Sequence, residues 1–146
     1  LVEKSSAGRI INLSSAAQVP VLSDVLSGQS HRSENETYAQ SKLALTMWSF
    51  QLAQQLSNTS VIAVNPGSLL NTCMVKEAYG RHWAPADKGA NILYDLAVLP
   101  MYEGVTGKYF DNDAGGFGQA HADAYDAGKV QQLIQETASI LAVSLK

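Results

Sequence analysis

The stretch "SVIAVNPG", residues 60–67, decides the architecture. Val61–Val64 is an unbroken apolar run closed by Pro66-Gly67, which reads as a strand with both faces buried. Such a strand belongs inside a parallel sheet covered by helices on either side. Arg9–Ser14, "RIINLS", repeats the pattern after Gly8. "GKYFDND", residues 107–113, reads as a third short strand, followed by a Gly-rich turn, "AGGFG".

Helical patterns separate these strands. Asn35–Leu56 has a broad apolar stripe through Leu43, Met47, Phe50 and Leu52, with Asn35 or Thr37 as its cap. A short helix is expected within residues 69–80. Residues 84–100, "APADKGANILYDLAVLP", form another, with Pro85 near its start and Pro100 past its end. Ala127–Val143 is the last. Residues 1–4 read as the final turn of a helix, and 16–34 as a long polar connection with one helical turn around "LSDVLSG". This alternation predicts an α/β fold with about three parallel strands, flanking helices and right-handed crossovers. Active sites in such sheets lie beyond the carboxyl ends of the strands. Three segments fall there: Ser14-Ser15, Asn65–Thr72 and Asp111–Gly118.

Composition removes several alternatives. The 146 residues suit one domain, and 46% hydrophobic against 16% charged residues supports a packed core. A net charge of −3, with no basic stripe, argues against nucleic acid as a partner. No apolar run approaches the ~18 residues of a membrane span. Cys73 is the one cysteine, so no internal disulfide exists, and a reducing cytoplasm is the expected location.

Tyr38 and Lys42, four residues apart in "YAQSK", share one face of the predicted helix. A free phenol titrates near ~10 and is a poor base at neutral pH. A neighbouring cation favours its ionised form. A proton donor tuned in this way suits carbonyl reduction, where an arriving hydride creates an alkoxide. A serine hydroxyl can orient the same oxygen, and either Ser14 or Ser15 ends the first strand. No side chain supplies hydride, so the chemistry requires a cofactor.

Taken in order, "GRIINLSSAA", "YAQSK" and "VNPGSLLNT" resemble the C-terminal half of the short-chain dehydrogenase/reductase family over nearly the whole chain. The long segment from Ser15 to Tyr38 and the wording "YAQSKLA" are closer to its retinol-dehydrogenase-like and protochlorophyllide-reductase-like branch. The resemblance implies half of a Rossmann-like doubly wound parallel sheet. It implies hydride transfer between NAD or NADP and a small-molecule carbonyl or alcohol. Ser15 matches the serine that binds the substrate oxygen, Tyr38 the general acid/base, and Lys42 the residue that grips the nicotinamide ribose. Pro66, Gly67, the Leu69-Leu70 backbone and Thr72 match the loop against the nicotinamide carboxamide. "PGSLLNT" is one residue longer than the commonest form of that loop, which leaves open which leucine meets the cofactor.

The family's glycine-rich turn and its catalytic asparagine have no counterpart in residues 1–146; Asn12 lies on a strand and is not that asparagine. The expectation is therefore a single truncated Rossmann-like domain, the catalytic half. An isolated half would bind dinucleotide poorly and expose a strand edge, so self-association is expected through helix 35–56, where family members commonly dimerise. The alternative expectation is a non-catalytic remnant that folds and self-associates without cofactor. Other features read as structural. "DNDAGG" imitates a calcium loop, but Ala122 stands where the closing glutamate is needed. His121 and Asp123 are too few for a metal site, and His82 reads as a surface residue. Cys73 reads as an inert small side chain, and Trp83 as a candidate wall of a substrate pocket.

Overall fold

A computed structural model describes residues 2–141. Four strands form one sheet in the order β1 (Gly8–Leu13), β2 (Thr59–Asn65), β3 (Lys108–Asp111), β4 (Gly116–Gly118). The first three are parallel. The fourth, expected as a turn, is a strand that folds back antiparallel on β3. The return is made at Gly115, whose φ of 75° suits a residue without Cβ.

The register aligns the carboxyl ends. Leu13 sits opposite Val64, and Asn65 opposite Asp111. Every residue of β2 is buried, as its continuous apolar run requires. Alternation then divides the core. Ala63 and Tyr109 face α2 (Glu34–Gln55) and α5 (Ala127–Ile140), meeting Leu43, Met47, Phe50, Val130 and Leu133. Ile62, Val64 and Phe110 face α4 (Ala86–Val98), meeting Ile92 and Leu96. Thus α2 and α4 cover opposite faces while β1, β2 and β3 advance in one direction. Two such crossovers must have opposite hands, so one departs from the right-handed connection expected of both. Both faces of β2 are buried, so each takes the apolar stripe of a different helix, α2 on one and α4 on the other.

Several boundaries shift. The α2 cap is Ser33, whose Oγ accepts from the Glu36 amide at 3.3 Å, and not Asn35 or Thr37. The "SENE" wording is a capping-box signal that identifies it. Residues Val2–Lys4 form a 3-10 turn. The helical turn in the polar connection is α1 (Ser23–Leu26), and α3 (Cys73–Tyr79) is the short helix. Residues 142 and 143, within the expected last helix, lie outside the described residues.

Candidate active site

Two adjacent serines end β1 and part company. Ser14 is buried, and its Oγ donates to Thr46 Oγ1 at 2.6 Å, with the Lys42 carbonyl 3.2 Å away. Thr46 in turn donates to that carbonyl at 2.9 Å. Ser14 is therefore a tie between β1 and the turn of α2 that carries Lys42. One residue back, the Asn12 side chain donates to Ser49 Oγ at 2.8 Å and adds a second tie. Ser15 is half-buried, and its Oγ accepts the Ala17 amide at 3.1 Å. With one lone pair so occupied, its proton is available to donate into the adjoining cleft.

Tyr38 and Lys42 lie at the edge of the α2 stripe formed by Ala39, Leu43, Thr46, Met47 and Phe50. That stripe is buried against the sheet, which turns the tyrosine and lysine toward the end of β1. Lys42 Nζ donates to the Leu13 carbonyl at 2.8 Å and stands 5.4 Å from the centre of the Tyr38 ring. Partial burial pulls the Lys42 ammonium below its ordinary 10.5.

The loop after β2 is held by charge. Asn65, buried, donates to Asp111 at 2.8 Å and Asp113 at 2.9 Å, while its own Oδ1 accepts the Gly67 amide at 3.2 Å. Asp113 also accepts from the Ser68 amide at 3.0 Å and the Ser68 hydroxyl at 2.5 Å, with Lys88 Nζ 3.5 Å away. Desolvation opposes ionisation of Asp113. The bonds from Ser68, then Asn65, and the Lys88 charge outweigh it and bring the carboxyl down to about 2. Asn112 Nδ2 donates to the Pro66 carbonyl at 2.8 Å. The DND segment, read from sequence as part of the carboxyl-end cluster and as a calcium-loop imitation, is thus the scaffold of the Pro-Gly loop. Signals for it were the positions of Asn65 and Asp111 at two strand ends; their register could not be read from sequence.

Within this loop Gly67 has φ 130° and Leu69 φ 48°. The left-handed turn at Leu69 separates the two leucines. Leu70 is buried and lines the cleft, and Leu69 does not. Thr72 caps α3, accepting from the Val75 amide at 3.3 Å. Gly89 of α4 lets the loop pack closely, since a Cβ there would lie 2.6 Å from Leu70 Cδ1 and 3.4 Å from Pro66 Cβ.

These segments enclose a cleft of ≈ 320 Å³. Ser15, Tyr38, Lys42, Pro66, Gly67, Leu70 and Thr72 all line it, with Met74 and Leu93 adding apolar wall. Leu69 and Trp83 stand apart; Trp83 is 71% exposed, and its amide donates to the Leu69 carbonyl at 2.9 Å. A nicotinamide riboside fits this lining. Pro66, Leu70 and Leu93 offer an apolar surface for a flat ring, Gly67 permits close backbone approach, and the Lys42 ammonium has donors for sugar hydroxyls.

A largely parallel α/β sheet with a mixed apolar and hydroxyl-bearing cleft at its carboxyl end defines the doubly wound class of folds, whose ligands bind at that position. Comparison with known proteins narrows it. Short-chain dehydrogenase TIC 32 B, chloroplastic, of Brassica napus is 31% identical over 126 residues, 74% of this chain and 39% of its own length. Retinol dehydrogenase 12 of Mus musculus is 28% identical over 123 residues, 76% of this chain and 39% of its own. A short-chain dehydrogenase of Shigella flexneri, crystallised with NADP, superposes with a TM-score of 0.59 at 25% identity, covering 77% of this chain and 44% of that one. No family model matches the sequence. The chain belongs to the short-chain dehydrogenase/reductase family, and it spans about two fifths of the length of the curated relatives it matches.

Proposed function

We propose that the protein is an NAD(P)-dependent oxidoreductase acting on a carbonyl/alcohol pair, and that residues 1–146 hold its catalytic half. One observation carries this reading. Residues from three separate segments, Ser15, Tyr38 with Lys42, and Pro66, Gly67, Leu70 and Thr72, line a single cleft at the carboxyl end of the sheet.

Lys42, Pro66, Gly67, Leu70 and Thr72 would hold the nicotinamide riboside. The cofactor supplies or accepts the hydride when bound. Ser15 donates a hydrogen bond to the substrate oxygen and orients it. Tyr38 gives that oxygen its proton in reduction and takes it back in oxidation. The Lys42 ammonium, held by the Leu13 carbonyl, stands beside the Tyr38 ring and presents its remaining donors to the cleft. Leu70, Met74 and Leu93 keep one side of the cleft apolar, which suits a substrate with an apolar body beside its polar carbon.

The test is a titration with NADPH followed by nicotinamide fluorescence, then NADPH consumption with an aldehyde such as decanal. Weak but saturable binding and slow turnover are expected of this half. An absence of binding at millimolar NADPH overturns the reading and leaves a folded, non-catalytic remnant.

We also propose self-association through the outer face of α2. Leu45, Trp48 and Leu52 recur there at helical spacing, and Trp48 is 43% exposed. A dimer mass in light scattering at micromolar concentration is expected; a sharp monomer overturns it. No helix among the described residues is long and apolar enough to cross a membrane. The exposed thiol of Cys73 suits the reducing cytoplasm we propose as its location.

A further inference from the structure

Tyr109 lies in β3, is 4% exposed and packs with Leu43 and Met47 against α2. Its hydroxyl nevertheless leaves the core and donates to the Ser15 carbonyl at 3.0 Å. Gln18 Nε2 donates to the same carbonyl at 2.8 Å. The Gln18 Oε1 in turn accepts the His121 amide at 3.0 Å. Both lone pairs of the Ser15 carbonyl are therefore taken by side-chain donors, one of them from another strand. A loop carbonyl at the open end of a sheet ordinarily turns to water. Here its direction is set by Tyr109 and Gln18, and with it the orientation of the 15–16 peptide.

That orientation controls the hydroxyl. The Ala17 amide reaches Ser15 Oγ only while the intervening peptide keeps its direction. Burial first, then the charges of Asp111 and Asp113, hold the Tyr109 phenol well above its ordinary value, so it stays a donor across the working pH range. Tyr38 and Tyr109 then divide two tasks between two phenols: one faces the cleft, and the other braces the loop behind it.

We infer that Tyr109, assisted by Gln18, is the positioning residue for Ser15, setting the aim of the serine hydroxyl into the cleft from outside it. This rests on the proposed role of Ser15 in orienting the substrate oxygen. Tyr109→Phe removes the hydroxyl and leaves the ring in the core. In the unliganded protein, the Ala16 amide nitrogen, which shares a peptide with the Ser15 carbonyl, is expected to shift upfield in NMR spectra of this variant. Amide exchange in β2 is expected to stay unchanged.

With NADPH and decanal, Tyr109→Phe is expected to lower kcat roughly tenfold, through a misaimed hydroxyl, with KM for NADPH unchanged. Added to Ser15→Ala it is expected to change kcat by less than about twofold, because the hydroxyl it aims is already gone. Packing damage would instead multiply the two losses, and that result overturns the inference. Gln18→Ala is expected to act in the same direction. If Ser15→Ala leaves kcat intact, the role of Ser15 fails, and the Ala16 shift alone decides whether Tyr109 holds the loop. An unshifted Ala16 resonance in Tyr109→Phe overturns the inference whatever the activity.

Discussion

The loops after β1 and β2 sit side by side at the same end of the sheet and are built differently. The serine loop is held by neutral groups: the Ser14–Thr46 hydroxyl pair and the Tyr109 and Gln18 bonds to the Ser15 carbonyl. The Pro-Gly loop is held by ionised ones, with Asp113 drawing in Ser68, Asn65 and Lys88. Neutral bonds are individually modest but insensitive to pH and salt. Charge-assisted bonds are stronger and fail when the carboxylate is protonated. One loop is thus fixed under all conditions in which the fold survives, and the other is tied to the ionisation of one aspartate. On the proposed reading, the first orients the reacting oxygen and the second grips the cofactor.

Substitutions can separate the two. The largest expected effect is at the serine loop. Ser15→Ala should lower kcat by roughly a hundredfold while the dissociation constant for NADPH stays the same. A parallel loss of NADPH affinity would mean that the loops do not divide their tasks. Next is Gly89→Ala, which places a methyl 2.6 Å from Leu70 Cδ1. The Leu70 side chain must move, at ~1–3 kcal/mol in stability, read as a lower urea midpoint. NADPH binding should weaken with it, and Ser15 should be unaffected.

Asp113→Asn is smaller. The amide cannot accept all the bonds that converge there, but the site is solvent-exposed. The expected loss is about 1 kcal/mol in stability, with a several-fold weaker grip on NADPH. Acid makes the same point without a mutation. The folded carboxyl sits at about 2, below its ordinary 3.8. A depressed value means its stabilisation is complete above 3.8 and lost as pH falls from there through about 2. Urea midpoints measured across that window should fall less steeply in Asp113→Asn than in the parent. The smallest effect is Ser14→Ala. Thr46 keeps its bond to the Lys42 carbonyl at 2.9 Å, so the loss should be about 0.5–1 kcal/mol and independent of pH.

Local chemistry explains what was legible beforehand. Val61–Val64 had to be a central strand because its residues are apolar on both faces. Tyr38 and Lys42 had to share a helix face because of their spacing. Legibility failed where partners are distant in sequence. Ser14 and Ser15 are equivalent as text and both border the cleft; only the bonding of Ser14 to Thr46, 32 residues on, engages one hydroxyl in the scaffold and leaves the other for the cleft. The DND segment could be placed at the carboxyl end of the sheet but its bracing role could not, because its partners at Asn65 and Ser68 lie more than forty residues away. The opposite hands of the two crossovers were hidden for the same reason. A rule based on the usual twist of one βαβ unit cannot see which face of the next strand offers the deeper apolar surface.

By itself the order of residues determined the three parallel strands, the main helices and the chemical kinds of group at the carboxyl end of the sheet, but not the antiparallel β4. Periodicity and capping are local, and they act within a few residues. Tertiary structure decided which of the two serine hydroxyls is engaged in the scaffold, which leucine lines the cleft, and that Tyr109 and Asp113 brace its two walls. Those outcomes depend on strand register, which places Leu13 beside Val64 and Asn65 beside Asp111. Register is settled when whole faces are buried together, and no short stretch of the chain contains that information.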